Sequence, residues 1–145
     1  MSLHQRGDRR KEQYILARPW SARGEWFEWE YVGKEDETLV NIAWSFYGHI
    51  SEATDEYYQR RIWLVNRRTI GDFHSRLRRG TWLRVPYYEF PYRVWEGDTL
   101  SRLALWIYGD ADRVERILDT NPEIEDPNEI KVGQELWIYP PRYQT

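Results

Sequence analysis

The sequence contains no cysteine, which removes disulfides and thiolate metal sites together. Small secreted domains usually hold themselves together with disulfides, so this absence points to assembly in a reducing cytosol. No apolar run approaches the length that spans a bilayer. The opening stretch MSLHQRGDRRKEQYIL is charged and lacks the apolar core of a signal peptide. The chain is therefore expected not to cross a membrane by the general secretory route on a signal of its own. A net charge of −3 offers no global attraction for nucleic acid or for an anionic membrane, and neither is expected as a partner.

Signs of catalysis are equally sparse. There is no G-x-S-x-G elbow for a nucleophilic serine. The three histidines, His4, His49 and His74, lack metal-ligand spacing. Carboxylates are plentiful, but no two sit in an apolar setting that would raise a pKa for acid chemistry. The sequence predicts no enzyme, no cofactor and no metal.

What is abundant is aromatic: 17% of the chain, with nine Trp and eleven Tyr. What is repeated is a phrase. Residues 35–48 read EDETLVNIAWSFYG and residues 96–109 read EGDTLSRLALWIYG. The alignment pairs Thr38 with Thr99, Leu39 with Leu100, Ala43 with Ala104, Tyr47 with Tyr108 and Gly48 with Gly109. In 145 residues such a repeat favours two very small domains over one ordinary one. Units this small need large side chains in their cores, and the rings supply the area.

Each copy reads strand–helix–helix–strand. In FEWEYV, Phe27, Trp29 and Tyr31 alternate with Glu28 and Glu30, which marks a half-buried strand with its rings inward. A helix begins near Glu37 or Thr38, with Leu39, Ile42, Ala43 and Phe46 as its apolar stripe, and ends at Gly48. A second helix is expected from about Thr54 to Val65, burying Tyr58, Ile62 and Val65, before the strand TWLRV. The second copy repeats the order: the strand YRVW, then a turn at Gly97 and Asp98 and a helix capped by Asp98 or Thr99. A helix around Ala111–Thr120 and the closing strand ELWIY complete it. In each copy the two strands pair antiparallel with both helices on one face. The connector PYYEFPY is proline-restricted and ringed with aromatics, so the units are expected to lie against each other in a fixed geometry.

This pattern resembles the LysM domain. The second copy carries the resemblance most fully, in YRVWEGDTLSRLALWIYG, then ILDTNP, then IKVGQELWIYP. The first copy departs from it: Asp36 and Glu37 replace Gly97 and Asp98, and extra residues enlarge the stretch between its helices. Asn66, Leu77, Gly80, Leu83 and Val85 still correspond to Asn121, Ile130, Gly133, Leu136 and Ile138. The implied architecture is α+β: an arm at 1–25, a divergent LysM-like βααβ unit at 26–87, a connector at 88–91, a second unit at 92–141 and a tail at 142–145.

LysM domains are known chiefly as binders of N-acetylglucosamine polymers, held between the strand-to-helix and helix-to-strand loops. The resemblance implies a glycan groove at Gly97, Asp98, Thr99, Leu100, Asn121, Pro122, Glu123 and Ile124. The variant WIYGDADRVERILDTNPEI also resembles LysM-like proteins of phage tails, including the tail protein X group, and parts of contractile injection machines. Those act as structural joints. That resemblance implies an adaptor of a virion tail or baseplate, assembled in the bacterial cytoplasm, whose partners are tube, hub or baseplate proteins or copies of itself. Peptidoglycan is the partner only in the alternative reading.

Strand alternation places Arg93, Trp95, Trp137 and Tyr139 on the open face of the second sheet, with Trp82 and Arg84 as the equivalent face of the first. Exposed rings beside arginine are what protein interfaces concentrate, although the same rings could cover the neighbouring unit or stack on sugar. Arg9, Arg10 and Lys11 make the arm basic: the first 25 residues hold six basic side chains against three acidic ones. Arg67, Arg68, Arg76, Arg78 and Arg79 are expected on a solvated loop after the first unit's second helix. The run NPEIEDPNE at 121–129 is acidic by contrast. Trp44 and Trp106 are expected to pack at the core boundary.

Overall fold

The computed structural model describes residues 18–19 and 26–139. Arg9, Arg10 and Lys11 lie outside the described residues. A two-residue strand β1 (Arg18–Pro19) precedes β2 (Trp26–Val32), α1 (Leu39–Tyr47), α2 (Glu52–Ile70) and β3 (Trp82–Pro86). Then come β4 (Phe90–Arg93), α3 (Leu100–Tyr108), a short 3-10 turn (Ala111–Arg113), α4 (Val114–Asp119) and β5 (Glu135–Ile138). The fold is α+β, with antiparallel sheets ordered β1-β2-β3 and β4-β5. Strand–helix–helix–strand thus occurs twice along the chain.

The alternating strands bury the residues that the pattern selects. Trp29 and Tyr31 of β2 face Leu83 and Val85 of β3 across the ladder, and all four are buried. Glu28, however, does not point freely to water: it is only 8% exposed and takes the Arg84 side chain at 2.9 Å. Thr38 caps α1 in a capping box with Asn41, and Thr99 caps α3 by accepting from the Arg102 N–H.

Helix α2 is longer than the spacing predicts. It begins after the cap Ser51 and runs through Ile70, with one non-helical residue, Asn66, at φ −124° and ψ 17°. Its buried residues divide between two cores. Tyr58, Ile62 and Ile70 belong to the first core, with Ile42, Phe46, Leu77 and Leu83. Leu64 and Val65 belong to the second, with Tyr92, Leu103, Ile107, Ile117 and Leu136. One helix therefore serves both cores, and burying Leu64 and Val65 is worth about 1.5–3 kcal/mol each to the second. Arg67 and Arg68 accordingly lie inside α2, not on a solvated loop.

Trp106 packs against the second core. Trp44 does not pack at the boundary: it is 46% exposed, with its ring 5.1 Å from His49.

Candidate functional site: the joint, its groove and the repeated loops

The loop before α3 is organised by Asp98. Its carboxylate accepts from the Tyr92 hydroxyl and from the Trp95 backbone N–H, and pairs with Arg67 at 2.8 Å. Burial and that acceptor push the Tyr92 hydroxyl well above the usual phenol range. In the first half, Glu37 accepts from the Tyr31 hydroxyl at 2.8 Å and from the Lys34 N–H at 2.8 Å. The preceding residues match in backbone too: Gly97 has φ 88° and Asp36 has φ 64°. An Asp tolerates this left-handed conformation better than most residues. The replacement of Gly97 and Asp98 by Asp36 and Glu37 thus preserves the turn.

The joint between the halves is built from α2. Arg60 and Arg67 lie seven positions apart, on one helical face. Arg60 donates to the carbonyls of Leu105 and Trp106, satisfying the C-terminal end of α3. Arg67 reaches Asp98, just before the other end of the same helix. Between them the Trp63 ring meets Trp106 edge-on at 5.6 Å. Arg67 also lies 3.6 Å over the Trp95 ring and 4.7 Å over Trp106, a cation–π arrangement in a partly dry setting.

Arg61, on the neighbouring face, is 1% exposed. Its Nη2 donates to the carbonyls of Tyr87 and Tyr88 in the connector, and its guanidinium lies over Tyr58 and Phe90. Nε and Nη1 meet no hydrogen-bond partner among the described residues. Burial lowers the Arg61 pKa, and burial raises that of Tyr47, whose hydroxyl donates to the Pro86 carbonyl. Tyr47 stacks on Tyr58 at 4.3 Å, and Tyr88 meets both rings edge-on. Arg60, Arg61 and Trp63 did not stand out in the sequence, since arginines on a helix read as solvated. The signal was the continuation of helix-forming residues past Val65.

The structure divides the expected aromatic platform. Arg84, Arg93 and Trp95 come together with Arg68, Pro91, Glu96, Val132 and Gly133 around a groove of about 650 Å³. Trp95 does not lie on the open sheet face: it is half-buried beneath Arg67 and Arg68, the latter 4.4 Å from its ring. Trp137 stands opposite Pro91 in the ladder and packs against the second core. Tyr139 and Trp82 are exposed, at 44% and 56%, and neither lines this groove.

Of the residues expected around a glycan, Leu100 and Asn121 are buried, the latter fully. The Asn121 side chain donates to the Ile117 and Trp137 carbonyls and accepts from the Trp137 N–H. Asp98 is engaged as described, Thr99 caps α3, and Ile124 packs on the second core. Gly97, Thr99, Pro122 and Glu123 remain exposed. Among the described residues no group of three or more His, Asp or Glu is placed to hold a metal ion. No helix there is long and apolar enough to cross a membrane.

Residues 92–138 match the LysM domain family. Over 45 residues the chain is 44% identical to an endolysin of Bacillus phage PZA. That match covers 31% of this chain and 16% of the endolysin. No solved structure matches the chain.

Proposed function

We propose that the chain is a non-enzymatic structural adaptor of a phage tail, baseplate or related contractile injection apparatus, built from two LysM-like units that dock on neighbouring proteins. The observation that carries this reading is α2. A sugar-binding array needs no helix common to two cores, whereas a joint that must hold two surfaces at a set angle does. Arg60 and Arg67 hold both ends of α3, and Arg61 holds the connector. The first half also keeps the loop and cap hydrogen bonds of the second, which supports reading it as a second LysM-like unit.

The docking surfaces in this reading are the exposed rings Trp82 and Tyr139, together with Arg84, Arg93 and the edge of Trp95. The basic side chains Arg9, Arg10 and Lys11 add positive charge for an acidic partner.

Peptidoglycan binding is the second reading, favoured by the match of residues 92–138 to a family that typically binds it and by the endolysin likeness. Gly97, Thr99, Pro122 and Glu123 would then line the groove. Co-sedimentation with insoluble peptidoglycan separates the two. The adaptor reading expects no saturable binding and finds the chain in purified particles by mass spectrometry. Saturable binding that is lost in Thr99→Trp and Glu123→Trp would make this a cell-wall module instead.

A further inference from the structure

We propose that the chain pairs with a second copy of itself about a two-fold axis at the turn 131–134, the acidic loop of each copy seated in the arginine-lined groove of the other. Two features of opposite sign flank this turn. On one side is the groove with Arg68, Arg84 and Arg93 against a single lining carboxylate, Glu96, with Val132 and Gly133 at its rim. On the other, Glu123, Glu125, Asp126 and Glu129 surround a cleft of about 610 Å³ that shares the same Val132 and Gly133. Lys131 is the only cation among the residues lining that cleft.

The charges on both sides are incompletely answered within one copy. Arg84 pairs with Glu28 and Arg93 with Glu135. Arg68 lies over the Trp95 ring and has no carboxylate partner among the described residues. Glu123, Glu125 and Glu129 likewise have no cation partner there. All are exposed. Among the described residues, an arginine without a carboxylate partner thus stands on one side of the turn and carboxylates without a cation partner on the other.

Symmetry makes the arrangement self-complementary. A two-fold axis through a point between a positive and a negative patch lays each on its opposite in the other copy. Val132 stands at that point and is 68% exposed, more than any other large apolar residue among those described. On the axis it meets Val132 of the second copy, giving an apolar centre inside a charged rim. The pairing occupies the groove of Arg84, Arg93 and Trp95, so in a dimer the docking surfaces left for other proteins are Trp82 and Tyr139. It does not rest on the adaptor reading, since a wall-binding chain can dimerise as well.

Sedimentation velocity on the full chain, over a range of concentrations at low and high salt, tests it. The unaltered chain is expected to show a monomer–dimer equilibrium, with the dimer weakened roughly tenfold by salt. Arg68→Glu with Arg93→Glu, and separately Glu123→Lys with Glu125→Lys, are expected to be monomeric. An equimolar mixture of the two variants should restore the dimer, since one then carries two acidic patches and the other two basic ones. Val132→Asp should be monomeric alone. Circular dichroism of each variant checks that these exposed changes leave the fold intact. A chain that stays monomeric, a dimer indifferent to both reversals, or growth past the dimer into open oligomers would overturn the two-fold pairing.

Discussion

Asn66 and Asn121 make the same three hydrogen bonds in the two halves of the chain. Each side-chain amide donates to the carbonyl four residues back, Ile62 or Ile117, and to the carbonyl of a closing-strand residue, Arg84 or Trp137. Each Oδ1 accepts from the N–H of that same strand residue. One asparagine, at the irregular turn of α2 in the first half and just past α4 in the second, thus ties each second helix to the strand that closes its sheet.

Replacing either asparagine leaves buried backbone groups without partners. Asn66→Ala and Asn121→Ala are each expected to cost about 2–3 kcal/mol in urea unfolding. If the Asn121 amide served a glycan instead, its removal would abolish peptidoglycan binding and leave the midpoint nearly unchanged.

The Arg67–Asp98 pair links α2 to the loop before α3 with side chains 11% and 2% exposed. A double-mutant cycle with Arg67→Ala and Asp98→Ala is expected to give a coupling of about 1–3 kcal/mol, well above an exposed pair. A coupling near zero would show that the joint does not depend on this contact.

Arg61→Ala removes the donor to the Tyr87 and Tyr88 carbonyls and leaves space among Tyr58, Phe90 and the connector. The expected loss is about 3 kcal/mol, with faster hydrogen exchange at 87–92 as its local sign. Unchanged exchange there would mean that ring packing alone fixes the connector.

Stability should fall at alkaline pH. Burial and the Asp98 carboxylate hold the Tyr92 phenol protonated in the fold, while an unfolded chain releases that proton above about pH 10. A raised native pKa means that the contribution is full below that pH and is lost as pH rises through the native value. Thermal midpoints from neutral pH upward check this, and Tyr92→Phe should flatten the decline.

Much of this was legible in the sequence. The doubled phrase placed one helix start at Glu37 or Thr38 and the other cap at Asp98 or Thr99, of which the structure selects Thr38 and Thr99. The alternation in β2 and β3 placed Trp29, Tyr31, Leu83 and Val85 inside. The length of α2 was not legible, because Asn66 interrupts its dihedrals and its apolar residues serve two cores, so no single stripe continues. Nor was the environment of Trp95. Alternation sends it away from its own helices, but arginines from the other half cover it, and period-two reasoning carries no information about a neighbouring unit. Asn121 lies on a loop as the sequence has it, but only the register of β5 shows that its amide is taken up by Trp137.

The central claim is that the two halves form one body through α2, and calorimetry of the full chain tests it most directly. The account predicts one unfolding transition, with calorimetric and van't Hoff enthalpies equal. Two separable transitions, with the half containing residues 92–138 melting independently of changes at Arg60, Arg61 and Arg67, would contradict it.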